Sequence, residues 1–251
     1  MRVAVISLKR TPERWTAFLQ RNQQALNNCE LLRLDGIDGS ELLNSGIETR
    51  LIAPSAHKEW SAGAIGIGLS HLLCWRLCCN SGTPLVVLED DVVLAEGWDQ
   101  KLKQLLDPGA GMVLLGWNLD SMLRAEFSNQ QDMISLFEPA YPSENALNAI
   151  VNSDEVRQRK RLHCSFGLPG YWLKPAMAQL LLNTIQRLET LPLHLGRGFP
   201  EISTHGIDAL LNLHYQQIGA EVVMPPLALA LNDALTSLTR PNPNHFGDND
   251  I

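Results

Sequence analysis

Apolar residues along the chain alternate between short β-branched runs and longer stretches with helical spacing. Residues 2–8, RVAVISL, have the length and β-branching of a strand. A helix start follows: Thr11 can cap it, Pro12 suits its first turn and Glu13 favours its dipole. Trp15, Phe18, Leu19, Asn22 and Leu26 then recur at helical spacing, with Asn22 the one polar member. Residues 30–34 read as a second strand, ending in the turn-rich DGIDGS. Strand, helix, strand is how a parallel α/β sheet begins.

Residues 44–60 are a less regular connection. Between Ser61, a cap, and Asn80-Ser81-Gly82, a stop, the chain is apolar nearly all round, which predicts a buried helix. Residues 85–88 lack alternation and predict a strand buried on both faces. The pattern predicts a helix over 98–106 and a strand over 111–116. Residues 118–160 are polar and weakly patterned, as an insertion or mobile loop would be. SFGLPGYWLKP is strand-like with turns, and Pro175 opens the helix AMAQLLLNTIQRL. A further helix is expected over 205–218 and a last strand over 221–224. The expected organisation is a single domain over 1–230 in two halves, 1–117 and 161–230, followed by an irregular Pro/Asn-rich tail over 231–251.

Composition narrows the picture. The 251 residues are 45% hydrophobic, ordinary for a globular chain with a substantial core. The formal charge of −7, from 27 acids and 20 bases, argues against a dedicated nucleic-acid binder. A phosphate-bearing ligand would need a cation or a local basic patch. The five cysteines, Cys29, Cys74, Cys78, Cys79 and Cys164, are odd in number and lack a zinc spacing, so reduced, packed thiols are expected. No run reaches the roughly 18 apolar residues of a membrane span, and MRVAVISLKR turns polar too soon for a signal peptide. The expected location is the cytoplasm, with peripheral contact to the inner membrane as the alternative.

The stretch PLVVLEDDVVL sets Glu89, Asp90 and Asp91 inside a run of branched aliphatics. Strand alternation projects Glu89 and Asp91 together and turns Asp90 away. Two carboxylates some ~6 Å apart repel by about 3 kcal/mol at an effective dielectric near 20, a penalty that a divalent cation removes. Ligands of open α/β sheets also gather at the carboxyl ends of strands. The competing explanation is a solvated strand end whose acids cap the next segment. GAIGIGLSH lacks the lysine of a phosphate-binding GxxxxGK[ST] loop and the spacing of GxGxxG.

Six segments, in order, resemble glycosyltransferase family 25, the bacterial lipooligosaccharide galactosyltransferases and their collagen-modifying relatives. They are VISLKRTPERW, DGIDGSEL, SAGAIGIGLSHLLCW, PLVVLEDDVVL, GLPGYWLKPAMAQLLL, and GIDALLNL with VVMPPLAL. The resemblance implies a GT-A-like α/β fold with a mixed, mostly parallel sheet flanked by helices. It makes 1–117 the nucleotide-binding half and 161–230 the acceptor half. It also implies inverting transfer of a hexose, galactose favoured, from a nucleotide sugar such as UDP-galactose, with manganese or magnesium as cofactor. The acceptor would be a saccharide or glycoconjugate such as lipooligosaccharide, placing the chain in lipopolysaccharide biosynthesis.

Under that resemblance Asp91 is the first candidate metal ligand, then Glu89, with Glu89 and Asp90 also at the nucleotide; the Glu at the first acid position is a departure from the family's Asp. Asp208 matches the family's helix acid and is the candidate base, the alternative being an acid that only favours its helix dipole; Glu201 is held in reserve. Ser7, Arg10 and Arg14 match the opening motif, where guanidinium suits phosphate and a surface salt bridge is the alternative. Ser70 and His71 match a donor-site motif, although a histidine on an apolar helix is more often a core residue. Gly170-Tyr171 would wall the sugar pocket, packing alone being the alternative. Arg157, Arg159, Lys160 and Arg161 are either a solvated face or a patch for an anionic acceptor or membrane. Asp233, His245 and Asp248 in the tail are candidates to close over the donor.

Two other classes compete. A metal-dependent nucleotidyltransferase also sets acids at strand ends but commonly has a Gly-rich loop after the first strand, where SLKRTPERW has no glycine. A relative that binds sugar nucleotide or glycan without turnover is the non-enzymatic alternative.

Overall fold

The structure is a computed structural model that describes residues 1–45, 49–128, 131–137 and 140–232. Strand β1 (Arg2–Ser7), helix α1 (Pro12–Arg21) and strand β2 (Glu30–Asp35) make a parallel unit in which Arg2 faces Glu30 and Ser7 faces Asp35. Pro12 opens α1, Glu13 lies in its first turn and Arg21 in its last. Thr11 does not cap it; its hydroxyl donates to Leu8 O, so the helix starts on proline and charge alone.

Short helices α2 (Gly39–Asn44) and α3 (Pro54–Glu59) lead into α4 (Ala62–Ser81). Ser61 Oγ accepts from Ala64 N at 3.0 Å and Gly82 ends α4 at a φ of 63°, as the cap and stop predict. By length and composition α4 could cross a membrane; here it packs against α2, α7 and α8 inside the protein. Its glycines serve that packing. A Cβ on Gly66 would lie 2.4 Å from Ile37 O, and one on Gly39 1.8 Å from Ala62 O. The backbones of α2 and α4 therefore meet with no side chain between them.

The chain continues through β3 (Leu85–Glu89), β4 (Val92–Leu94), α5 (Trp98–Leu105) and β5 (Met112–Leu114). Leu85 to Leu88 have no exposure, as their lack of alternation requires. Residues 118–160 are not a mobile loop. They hold β6 (Met122–Ser128), β7 (Gln131–Leu136), α6 (Glu144–Val151) and the first residues of β8 (Gln158–Ser165). Leu123 and Ala125 bury one face of β6, while Arg124 on the other pairs with Asp132 of β7, which also meets His163 of β8. So few apolar positions leave little periodicity to read.

There follow β9 (Gly170–Leu173), α7 (Pro175–Thr184), the short pair β10 (Pro192–Leu193) and β11 (Ile202–Ser203), α8 (Ile207–Leu211), α9 (Tyr215–Ile218), β12 (Glu221–Met224) and β13 (Ala228–Ala230). The single helix expected over 205–218 is two, broken at Asn212, whose side chain bonds the backbone of Ser165 and the carbonyl of Asp208.

Among the described residues nine strands form one sheet, in the order β2-β1-β3-β9-β5-β12-β8-β6-β7. The sheet is mixed: β1–β2, β1–β3 and β5–β12 are parallel, and the pairings made by β9 and by the β12-β8-β6-β7 end are antiparallel. Strands from 1–117 and from 161–230 interleave, with β9 between β3 and β5, around one continuous core. Of the tail, Leu231 and Asn232 are described; Asp233, His245 and Asp248 lie outside the described residues. The five cysteines are free, and burial pushes the Cys78 thiol up to about 11.

Candidate active site

Glu89 ends β3 and Asp91 precedes β4, so the triplet forms the turn between them. The turn is held from both sides. From α1, the amide of Asn22 donates to Val92 O at 2.9 Å and accepts from Leu94 N at 2.9 Å. From the chain's far end, β13 pairs with β4, and Leu231 N donates to Asp91 O at 2.9 Å. Asn22 is the polar member of the α1 pattern, and its contribution is this clamp.

Two cavities meet at the turn. The larger, about 350 Å³, is lined by Glu89, Asp91, Asn118, the 166–169 loop, Ser203, His205, Asp208 and Asn232. The smaller, about 90 Å³, is lined by Arg10, Arg14, Asp38, Gly39, Ser70 and all three acids. Glu89, Asp91 and Ile67 belong to both. Asp90 lines only the smaller cavity, with the other two acids, because the strand ends at Glu89 and Asp90 and Asp91 form a turn; it binds Arg14 there, with Nε at 2.8 Å and Nη2 at 2.7 Å from its Oδ1. Arg14 also lies 3.6 Å from Asp91.

Burial, then the nearby Asp208 and Asp90, push Glu89 up to about 8 against the pull of Arg14. Burial and Glu89 push Asp91 up to about 7. Asp91 Oδ1 is buried with no hydrogen-bond partner among the described residues. Crowded carboxylates with an orphan oxygen are what a hard divalent cation satisfies. Among the described residues no group of three or more His, Cys, Asp and Glu stands ready to hold a metal by itself. Two carboxylates suit an ion of the magnesium class, which takes its other oxygens from water and phosphate.

Asp208 sits in the first turn of α8 and lines the larger cavity with Glu89 and Asp91. Its Oδ2 accepts from Gly167 N at 2.8 Å. Asn212 fixes α8 by donating to Asp208 O at 3.0 Å and to Ser165 O at 2.7 Å. A Cβ at position 206 would lie 2.7 Å from Asp208 Oδ1, so Gly206 keeps that second oxygen clear.

The other candidates divide. Arg10 lines the smaller cavity and pairs with Asp38, the acid that caps α2. Ser70 also lines it, but its hydroxyl accepts from Ile37 N and donates to Gly66 O, fastening the close approach of α2 and α4. Ser7 is buried, and its neighbours Ile6 and Leu8 line the cavity in its place, as strand alternation dictates. His71 and Tyr171 have no exposure and line neither cavity, so Tyr171 does not wall the pocket. Burial pushes His71 down to about 4, leaving its ring neutral. Glu201 is tied to His194 at 3.0 Å, outside the cavity wall. Most of the basic run is in β8, where Arg159 pairs with Glu221 and Asp107 and Lys160 donates to Phe127 O; Arg157, just before the strand, bonds Val151 O. Asn22, Asn118, Gly167 and Asn212 carry no local motif; only the folded chain brings them to the site.

No curated protein matches the chain. Among solved structures it is similar to A197 from STIV, at 11% identity and TM-score 0.41, covering 93% of this chain and 87% of that one. Mannose-1-phosphate geranyltransferase from Thermus thermophilus gives 14% and 0.38, over 88% and 72%. The apo-form glycosyltransferase GlyE of Streptococcus pneumoniae TIGR4 gives 10% and 0.36, over 87% and 44%. Likenesses this distant bear on neither substrate nor mechanism. The sequence match is firmer, although it stops short of Asp208. Residues 1–194, which include the acid triplet, match the family described as glycosyltransferase family 25 (LPS biosynthesis protein), and the chain belongs to that family of glycosyltransferases.

Proposed function

We propose that the chain is an inverting, metal-dependent glycosyltransferase that moves a hexose, galactose favoured, from a UDP-linked donor to a saccharide or glycoconjugate such as lipooligosaccharide. The observation that carries this is the shared wall: Glu89 and Asp91 border both cavities, and Asp208 lines the larger one with them. The donor's diphosphate lies along the wall that the two cavities share, and the two sugars meet in the larger. Glu89 and Asp91 would hold manganese or magnesium, and a hard cation suits the orphan Oδ1 of Asp91. When bound, the cation acts as a Lewis acid on the departing diphosphate.

The chain's own groups do the rest. Arg14 neutralises Asp90 and lines the smaller cavity beside Arg10, where guanidinium charge suits phosphate. Asp208, immobilised through Oδ2 by Gly167, takes the proton of the acceptor hydroxyl at Oδ1. Holding that oxygen at a fixed place beside the acceptor supplies the in-line positioning that a single displacement needs. The 350 Å³ cavity lies at the small end of ligand sites, which run from about 300 to 1,000 Å³, and suits sugar units rather than a macromolecule. The proposed setting is the cytoplasm, with peripheral contact at the inner membrane where a glycoconjugate acceptor would be met.

The test is a thermal-shift screen of nucleotide sugars with manganese, followed by product analysis on the best donor. Manganese-dependent stabilisation by one donor and release of nucleoside diphosphate are expected. Release of pyrophosphate would make the chain a nucleotidyltransferase, and donor binding with no turnover on any acceptor would make it a binding protein.

A further inference from the structure

Behind the acid turn lies a buried chain of polar groups that the proposed reaction leaves without a role. Trp75 Nε1 lies 2.9 Å from the Tyr171 hydroxyl, and that hydroxyl lies 2.9 Å from His71 Nδ1. An indole N–H only donates, so the phenol oxygen accepts there. The phenol's own proton then has His71 Nδ1 as its partner. The reverse arrangement, a proton on Nδ1 directed at the phenol, would strand the hydroxyl proton of a residue with no exposure. Nδ1 is therefore an acceptor, and the neutral ring carries its proton on Nε2.

That Nε2 is buried, has no hydrogen-bond partner among the described residues, and faces Glu89 Oε1 at 3.7 Å. The distance is just beyond a hydrogen bond. His71 is locked in the core, whereas the Glu89 side chain keeps 27% of its exposure and has room to close the gap.

We propose that His71 is a positioning residue: Tyr171 and Trp75 hold it as the Nε2–H tautomer, and it hydrogen-bonds Oε1 of Glu89 so that the carboxylate's other oxygen is aimed at the cation. The proposal rests on the assignment of Glu89 to the cation. Carboxylate ligands are in turn oriented by hydrogen bonds, and loss of such a partner typically weakens metal affinity by about tenfold to a hundredfold.

Two measurements on the full chain test it. Nitrogen NMR of metal-free protein with labelled histidine, its His71 signals assigned by their loss in His71→Gln, reads the tautomer directly. Protonated Nε2 and bare Nδ1 are expected, and Tyr171→Phe should mix the two tautomers. Calorimetry with manganese alone then compares His71→Gln, whose amide nitrogen falls near Nε2, with His71→Asn, whose amide falls near Nδ1. Affinity close to wild type in the first and about tenfold or more below it in the second is expected. A purely structural role would not separate the two amides once thermal melts show both folded. Protonation at Nδ1, or equal affinities in both variants and the wild type, overturns the proposal. If the wild type binds no manganese while the tautomer and its response to Tyr171→Phe are as expected, the relay stands and the metal assignment of the proposed function falls.

Discussion

The backbone N–H of Gly167 donates to Oδ2 of Asp208 at 2.8 Å, joining the loop before β9 to the first turn of α8. One carboxylate oxygen is thereby immobilised in a residue that lines a cavity with Glu89 and Asp91. Three acids on one wall divide into a pair beside Arg14 and a single one held by a neutral amide.

Asp208→Asn should separate binding from transfer. Asparagine keeps an oxygen for Gly167 N, so the fold and donor affinity are expected to hold while turnover falls by about 10²- to 10⁴-fold, the usual worth of a general base. Steady-state rates together with donor calorimetry decide it, and near-normal turnover removes Asp208 as the base.

Asp91→Asn should weaken manganese-dependent donor binding by more than about tenfold, since a direct ligand ought to outweigh an outer-shell one. Calorimetry with and without chelator reads the effect. Unchanged binding, with circular dichroism confirming the fold, contradicts a metal at this turn.

Stability without metal should depend on pH in an unusual direction. Glu89 and Asp91 titrate at about 8 and about 7 in the folded chain, against 4.5 and 3.8 ordinarily. The folded state therefore keeps protons that the unfolded state releases, and stability is lost as pH climbs from about 4 towards 8. In chelator the melting temperature should fall across that window, less steeply in Glu89→Gln. Manganese binding should strengthen over the same interval, because ligands must be deprotonated. Identical pH profiles for the wild type and Glu89→Gln would refute the assignment.

Gly66→Ala should cost about 1–3 kcal/mol, because the added methyl presses on Ile37 O rather than on a movable side chain. Urea unfolding measures it. An unchanged midpoint would mean that α2 and α4 are further apart than described.

Much of this was legible in the residues. The cap at Ser61, the stop at Gly82 and the burial of Leu85 to Leu88 followed from local chemistry. What escaped was set by distant partners. Thr11 has the chemistry of a cap but spends its hydroxyl on Leu8. Asn22 looked like an imperfection in a helical stripe and is the clamp on β4. Residues 118–160 looked structureless because Arg124 and Asp132, which meet each other and His163 of β8, occupy strand positions where apolar residues would have shown a pattern. Ser7 and Tyr171 were chosen by motif position, which says nothing of which way a side chain points.

One reversed strand has a large effect on the rim. Because β9 runs against β3, Gly170 at its beginning lies beside Leu88, one residue before the end of β3, and Pro169 O accepts from Glu89 N. Had β9 run the other way, its entry would lie beside Leu85, about 10 Å off at the opposite edge of the sheet. The inversion delivers Phe166, Gly167 and Leu168 to the same lip as Glu89 and Asp91, so two stretches far apart in the chain face one another without any long connecting arm.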